Sequence, residues 1–312
     1  MTPKQFRTII WEHYKANKRK NNFPWRKTHN PYHILVSEIM LQQTQIPRVI
    51  PKYNEWLIRF PTLKALSRAP FSKILKTWQG LGYNRRARFL KDTATILQKN
   101  HKGAFPRSPS ELQKLPGVGH YTARAVACFS FGTCEPFLDT NIRRVYIHFF
   151  ALRLSSTRLG ANCSGQALRL PSIKLGINRS GQGKQKRHIK DAQLLPFIKR
   201  TEPEQNKREW YGALMDYGRD MVGTLKENPN KKSSTYAKQS PFYGSRRYMR
   251  AKIIRYLLSH KSAAPIQIKR ALAQDPYLNS QTIQKQFSLL IASLKKERLI
   301  APKKNLLTIR QH

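Results

Sequence analysis

The sequence predicts an all-α fold that closes with a winged-helix-like module. Three observations carry this. Apolar residues recur at helical spacing from Phe6 to Tyr217. A tight glycine turn, Leu115-Pro116-Gly117-Val118-Gly119-His120, separates two helical stretches. Strand-like patterning gathers near the end, where Leu299-Ile300 and Leu306-Leu307-Thr308-Ile309 flank Pro302-Lys303-Lys304-Asn305.

Taken in order, Phe6, Ile9, Ile10 and Tyr14 mark a first amphipathic helix. Phe23-Pro24-Trp25-Arg26 and Asn30-Pro31-Tyr32 read as extended or turn-like because of their prolines. A mostly apolar helix should run from His33 towards Gln45. It contains Glu38 among Val36, Ile39 and Met40. A carboxylate there is costly unless it is paired or kept protonated by a raised pKa, and a raised pKa suits a general acid working near neutral pH. A solvated helix face is the plainer alternative.

Helical patterns continue over Arg48 to Phe60, Leu63 to Ser67 and Ser72 to Trp78, stopping at Gly80-Leu81-Gly82. Tyr83 follows, then Arg85, Arg86 and Arg88. An aromatic on a rigid turn before three arginines suits a wedge that enters a base stack while the arginines hold phosphates, although a C-cap before a basic helix explains it as well. After a further helix over Arg88 to Gln98, Ser108-Pro109-Ser110-Glu111 reads as a capping box opening a short helix to Lys114. In the glycine turn, Gly117 and Gly119 can take positive φ. The N–H groups of Gly117, Val118, Gly119 and His120, at the start of a helix through Tyr121 to Phe129, would form an anion site suited to phosphate. Asp139 precedes a helix over Ile142 to Ala151 and is a natural N-cap.

Residues 155–188 read as a basic loop rich in Ser, Gly and Asn, and no acidic residue occurs between Thr140 and Lys190. Helical patterns return over Asp191 to Lys199 and Glu209 to Tyr217. A lysine-rich linker over 226–240 precedes residues 241–312, where helices over Arg246 to His260, Ala264 to Ala273 and Ser280 to Glu297 lead into the hairpin. Such a module either reads a DNA groove or serves as a protein-binding or stabilising cap.

The balance is strongly basic: 59 Lys and Arg against 16 Asp and Glu, a formal charge of +43. A polyanion is the natural partner, with phosphate contacts dominating affinity. Three cysteines, Cys128, Cys134 and Cys163, offer no disulfide framework, and Cys128 falls in an apolar helix as a core residue. No apolar run approaches the ~18 residues of a membrane span. The expectation is a soluble, reduced, cytoplasmic monomer, nucleoid-associated in a bacterium or archaeon.

Ser37-Glu38-Ile39-Met40-Leu41-Gln42-Gln43-Thr44-Gln45 resembles the signature of MutY-type adenine DNA glycosylases, in the helix-hairpin-helix superfamily. Phe23 to Arg26, Trp78 to Tyr83, Leu115 to Ala125, Leu138 to Val145 and Ala213 to Gly218 fit the same pattern in the same order. The resemblance implies a two-lobed helical fold that grips double-stranded DNA at a mispair, flips out a base and cuts its glycosidic bond. It divides the chain into an N-terminal helix packing on the second lobe (1–28), a six-helix barrel (29–135), a second lobe (136–225), the linker and the module. It places Glu38 as general acid, Asp139 as the ionised carboxylate steadying the sugar cation, and Tyr121 and Asn141 beside them. By the same resemblance Arg26 approaches the flipped adenine, and Gln42, Gln43 and Tyr83 fill or wedge the stack; the basic run itself offers Arg85 and Arg86 as phosphate ligands.

Tyr121 stands where strand-cutting relatives carry a lysine, so a monofunctional enzyme is implied. Val222 takes the place of the first of four cysteines that hold the family's iron–sulfur cluster, so no cofactor and no metal are expected. The tail does not resemble the Nudix-like domain of many members, which leaves recognition of 8-oxoguanine open. Two rival readings stay open: a glycosylase for thymine opposite guanine, and a DNA-binding relative without chemistry.

Overall fold

A computed structural model describes residues 1–155 and 188–311. The basic loop expected over 155–188 lies almost wholly outside the described residues, as does Cys163. In chain order the helices are α1 (Pro3–Asn17), α2 (Pro31–Leu41), α3 (Ile46–Arg59), α4 (Leu63–Arg68), α5 (Phe71–Trp78), α6 (Arg85–His101) and α7 (Pro109–Leu112). They continue with α8 (His120–Phe131), α9 (Thr140–Ser155), α10 (Asp191–Thr201), α11 (Lys207–Asp220), α12 (Arg246–His260), α13 (Pro265–Ala273) and α14 (Ser280–Lys296). Three short strands, β1 (Ser262–Ala263), β2 (Ile300–Lys303) and β3 (Leu306–Ile309), complete the order. The chain divides into two compact units, residues 1–22 with 132–237 and residues 23–131 with 238–312.

In the first unit, α1 opens with a capping box between Thr2 and Gln5, two residues that satisfy each other's backbone N–H groups. Its Phe6 is fully buried. The ring lies 5.3–5.9 Å from those of Tyr146, Phe149, Phe150 and Trp210, joining α1 to α9 and α11. Such tilted and edge-on pairs add about 0.5–1.5 kcal/mol each beyond area burial. The closest approach in this unit is at Gly218. A Cβ there would collide with the Asn141 carbonyl, so only glycine lets α11 meet the first turn of α9. Within residues 226–240, expected as linker, Pro229–Lys232 form a 3-10 turn and Asn230 Nδ2 donates to the Thr140 carbonyl at 2.9 Å.

In the second unit, one hydrophobic cluster runs through the helices from α2 to α8 and on into the C-terminal module. Trp56 and Trp78 meet edge-on at 5.5 Å in its middle. Helix α2 starts at Pro31, earlier than the sequence pattern indicates, because the Asn30 side chain accepts from the Tyr32 and His33 amides. The expected capping box at Ser108 does not form; its hydroxyl lies 2.6 Å from that of Ser110 instead. Proline at the first helical position starts α7 without it.

The C-terminal residues adopt the arrangement helix, strand, helix, helix, hairpin, with strand order β1-β3-β2. This is the winged-helix topology that the sequence pattern implies, with β1 added. Two residues paired to Leu307 and Thr308 are too few to leave a periodic signal. Pairing of Lys303 with Leu306 leaves Lys304 and Asn305 as a two-residue turn, and Lys304 takes φ +54° to close it.

Two cysteine expectations part company. Cys128 is fully buried in α8, as its apolar surroundings imply. Yet Cys128 and Cys134 are disulfide-bonded, against the reading of all three cysteines as free thiols. Gly132, at φ +75°, turns the chain between them, and a count of cysteines cannot register a turn.

Candidate active site

Helix α2 is buried along most of its length, and Glu38 sits on it at 6 % exposure. The solvated-face alternative for this residue is therefore excluded. Tyr121, the second residue of α8, donates its hydroxyl to Glu38 Oε2 at 2.8 Å. One residue further along α8, the Thr122 hydroxyl lies 3.4 Å from Gln42 Nε2 at the C-cap of α2. The glycine turn thus delivers α8 to α2 with Tyr121 aimed at the carboxylate.

That turn depends on Gly117, at φ +74°, where an added Cβ would lie 2.5 Å from the Phe89 ring. Gly119 does not take positive φ and has open space around it. The Val118 amide donates to the Leu115 carbonyl at 3.1 Å and its side chain is buried. Val118 therefore closes the turn and presents no N–H to a phosphate. His120 begins α8 and is exposed.

Arg86 is the larger correction. It is 6 % exposed, and its guanidinium faces backbone rather than solvent. Nη1 donates to the carbonyls of Ile39, Met40 and Gln42 at 2.8, 3.0 and 2.6 Å. Nη2 donates to Thr44 Oγ1 and to the carbonyls of Leu81 and Gly82 at 3.2, 3.1 and 3.3 Å. Burial pushes its pKa down to about 10, with the nearby Tyr83 opposing, so it stays cationic at neutral pH. Arg86 satisfies the orphan carbonyls at the end of α2 and in the Gly80–Gly82 turn; it holds no phosphate. Arg88 is likewise buried, its guanidinium 4.6 Å from the Phe71 ring centre. Of the three arginines only Arg85 is exposed.

On this frame Gln43 and Tyr83 both adopt left-handed backbone, at φ +53° and +45°. Each such position in a non-glycine residue costs on the order of 1–3 kcal/mol, and such strain clusters at functional sites. What lies against them is not visible in the sequence. Gln239 Nε2 donates to Gln43 Oε1 at 2.7 Å and to the Tyr83 hydroxyl at 3.3 Å. Arg247, in the first turn of α12, donates to the Tyr83 hydroxyl at 2.8 Å. Arg26 lies in a 3-10 turn with its guanidinium 5.9 Å from the Phe23 ring centre.

In the other unit, Asp139 caps α9, its Oδ1 accepting from the Ile142 amide at 2.6 Å. Oδ2 accepts from Asn141 Nδ2 at 3.2 Å. Desolvation pushes the Asp139 carboxyl above its ordinary value of 3.8, against the Ile142 amide, Arg143, Asn141 and Arg144, which all pull it down. The resemblance casts Asp139 as the readily ionised partner; the structure leaves it half-buried, with desolvation opposing its charge.

A four-thiolate cluster does not fit this chain. It has three cysteines, two of them disulfide-bonded. Val222, at the place of the cluster's first cysteine, is packed to 2 % exposure in a 3-10 turn. Among the described residues no group of three or more His, Cys, Asp or Glu could hold a metal ion. Nor is any described helix long and apolar enough to cross a membrane.

The chain is similar to proteins of known kind. Residues 36–159 match the family described as HhH-GPD superfamily base excision DNA repair protein. The adenine DNA glycosylase of Buchnera aphidicola subsp. Baizongia pistaciae is 43 % identical over 152 residues, covering 48 % of this chain and 42 % of the relative. That of Mycolicibacterium smegmatis is 42 % identical over 143 residues, covering 45 % and 49 %. That of Homo sapiens is 38 % identical over 149 residues, covering 45 % and 27 %. The matched stretch thus spans less than half the length of each of these relatives. Among solved structures, a thermostable thymine-DNA glycosylase superposes with a TM-score of 0.56 at 25 % identity, covering 74 % of this chain and 92 % of that one. Endonuclease III in a non-covalent DNA complex shares the fold at TM-score 0.51 and 18 % identity, covering 74 % and 98 %. Glu38, Tyr121 and the glycine turn all lie inside residues 36–159, the stretch that is similar to the HhH-GPD superfamily of base excision DNA repair proteins.

Proposed function

We propose that the chain is a monofunctional DNA glycosylase that removes adenine mispaired with 8-oxoguanine or guanine. The observation that carries this reading is the buried Glu38 carboxylate bonded to the Tyr121 hydroxyl. An adenine within a duplex is out of reach and must be extruded, which mispairing makes cheaper. Adenine leaves poorly until a ring nitrogen gains a proton, and Glu38 supplies it. The glycosidic bond then breaks, its electron pair going to the base. The oxocarbenium-like sugar left behind is steadied by the Asp139 carboxylate, with Asn141 holding that carboxylate in place. Water adds to the sugar and an abasic site remains. Tyr121 offers no amine for a Schiff base, so no strand cut follows.

Gln42, Gln43 and Tyr83 enter the stack, Arg26 approaches the extruded adenine, and Arg85 with the Gly117, Gly119 and His120 turn holds phosphates. Double-stranded DNA is the partner that a charge of +43 favours, the chain acting as a monomer. No iron–sulfur cluster takes part. The purified protein is expected to be colourless, with iron far below one atom per chain by elemental analysis; stoichiometric iron would overturn this point.

The function is tested with a duplex panel under single-turnover conditions. Release is expected with adenine opposite 8-oxoguanine and opposite guanine, and little with adenine opposite thymine. Thymine opposite guanine should stay intact, although one structural neighbour is a thymine-DNA glycosylase. Release of thymine in place of adenine would reassign the substrate, and release from no duplex would leave a binding protein.

A further inference from the structure

The C-terminal module does not merely follow the barrel. Its first residues reach the two strained positions expected to enter the base stack. Gln239 bridges the Gln43 carboxamide and the Tyr83 hydroxyl. Arg247 donates one Nη to that hydroxyl and the other to the Ser240 carbonyl at 2.6 Å. Its guanidinium lies 5.5 Å from the Tyr83 ring centre. Between these groups is an open cleft of about 410 Å³, lined from the barrel by Gln43, Tyr83 and Phe89 and from the module by Arg247, Arg250 and Ala251. Arg250 is engaged at the cleft wall, donating to Ser293 Oγ at 2.9 Å and pairing with Glu297. Arg247 is held by a tyrosine hydroxyl and a backbone carbonyl, neutral acceptors that water can replace.

We propose that this cleft receives the base left without a partner on the strand opposite the extruded nucleotide, and that Arg247 makes it selective for a guanine-type base. The proposal rests on the reading above that the chain extrudes a base from a duplex. The cleft offers what a nucleobase needs. The Tyr83 ring provides a stacking face. The Gln42 and Gln43 carboxamides provide donor and acceptor groups that can turn to suit an edge. Arg247 provides a forked donor that suits the O6 and N7 acceptors of guanine; in 8-oxoguanine N7 carries a hydrogen, and the guanidinium donates to O6 alone. Cytosine and thymine present a smaller ring and no such edge. The left-handed backbone at Gln43 and Tyr83 is thereby braced in advance of binding, from a module that lies far along the chain.

Arg247→Ala, Arg247→Lys and the unaltered full-length chain are compared on duplexes with adenine opposite 8-oxoguanine, guanine, cytosine or an abasic gap. Release is followed in single turnover and binding by fluorescence anisotropy. Arg247→Ala is expected to lose about tenfold or more of the preference for both guanine-type partners, and Arg247→Lys of the preference for guanine. Adenine opposite the gap, where no base fills the cleft, should be processed as before. Lysine should fail like alanine opposite guanine because it keeps the charge and lacks the fork, and should retain more of the preference opposite 8-oxoguanine, where one donor meets O6. A uniform loss on all four duplexes would assign Arg247 a structural role and overturn the proposal, as would an unchanged preference. If the unaltered chain releases no adenine from any duplex, the functional reading fails. The anisotropy comparison then still decides whether the cleft discriminates guanine-type partners.

Discussion

Replacing Glu38 with glutamine is expected to lower adenine release by about 100-fold to 10,000-fold, the range over which positioned general acids act. Glutamine has the same length and still accepts from the Tyr121 hydroxyl, which bonds to Glu38 Oε2 at 2.8 Å. It cannot deliver a proton. Glu38 is buried on α2 and lies on no charged surface, so mispair-duplex binding should stay within a few-fold. Single-turnover release and anisotropy on one preparation separate these effects. A Glu38→Gln variant that still excises adenine at the parent rate removes Glu38 from the chemistry. One that fails to bind points to a role in shaping the pocket.

The second large effect is at Asp139. Asn in its place accepts from the Ile142 amide as well as Asp does, because asparagine and aspartate cap helices about equally. The first turn of α9 therefore survives while the negative charge goes. Release is expected to fall about 100-fold or more, the scale on which one preorganised electrostatic partner of a transition state acts. The direction of the pKa shift fixes two further signs. Desolvation raises the carboxyl above 3.8 in the folded protein, so the folded state binds this proton more tightly than the unfolded chain. Its contribution to stability is present below the unfolded pKa and is lost as pH rises through the folded value. At neutral pH the ionised side chain thus costs stability, and Asp139→Asn should melt no lower than the parent and unfold at a temperature less dependent on pH. For catalysis the carboxylate is the active form. Release should decline as pH falls through the raised value, an acid limb lying above pH 3.8 that the Asn variant lacks. An Asp139→Asn variant with parent activity would exclude this carboxylate from the reaction. One that melts well below the parent would show that its charge supports the fold.

Much of the site is legible in the sequence because its signals are local. Glu38 stands out as a carboxylate among apolar neighbours, and burial is what such a helix imposes. The Gly117 turn announces itself because positive φ next to a packed ring leaves only glycine. The misreadings share one cause. Arg85, Arg86 and Arg88 look alike as a basic run, yet helical rotation points Arg86 and Arg88 inward and leaves Arg85 outside. Asp139 looks like an ordinary cap, and it does cap α9; the desolvation that raises its pKa leaves no mark in the local sequence. Gln239 and Arg247 are out of reach for the same reason. They meet Gln43 and Tyr83 across 196 and 164 residues of sequence, and no periodicity spans such a gap.

Arg86 gives the barrel a mechanical property. One flat cation grips the last carbonyls of the helix that carries Glu38 and the turn that carries Tyr83. The end of α2 and the turn before Tyr83 are therefore tied to each other through one guanidinium. On the proposed function, contact of Tyr83 with a duplex and placement of the Glu38 proton would be coupled through Arg86.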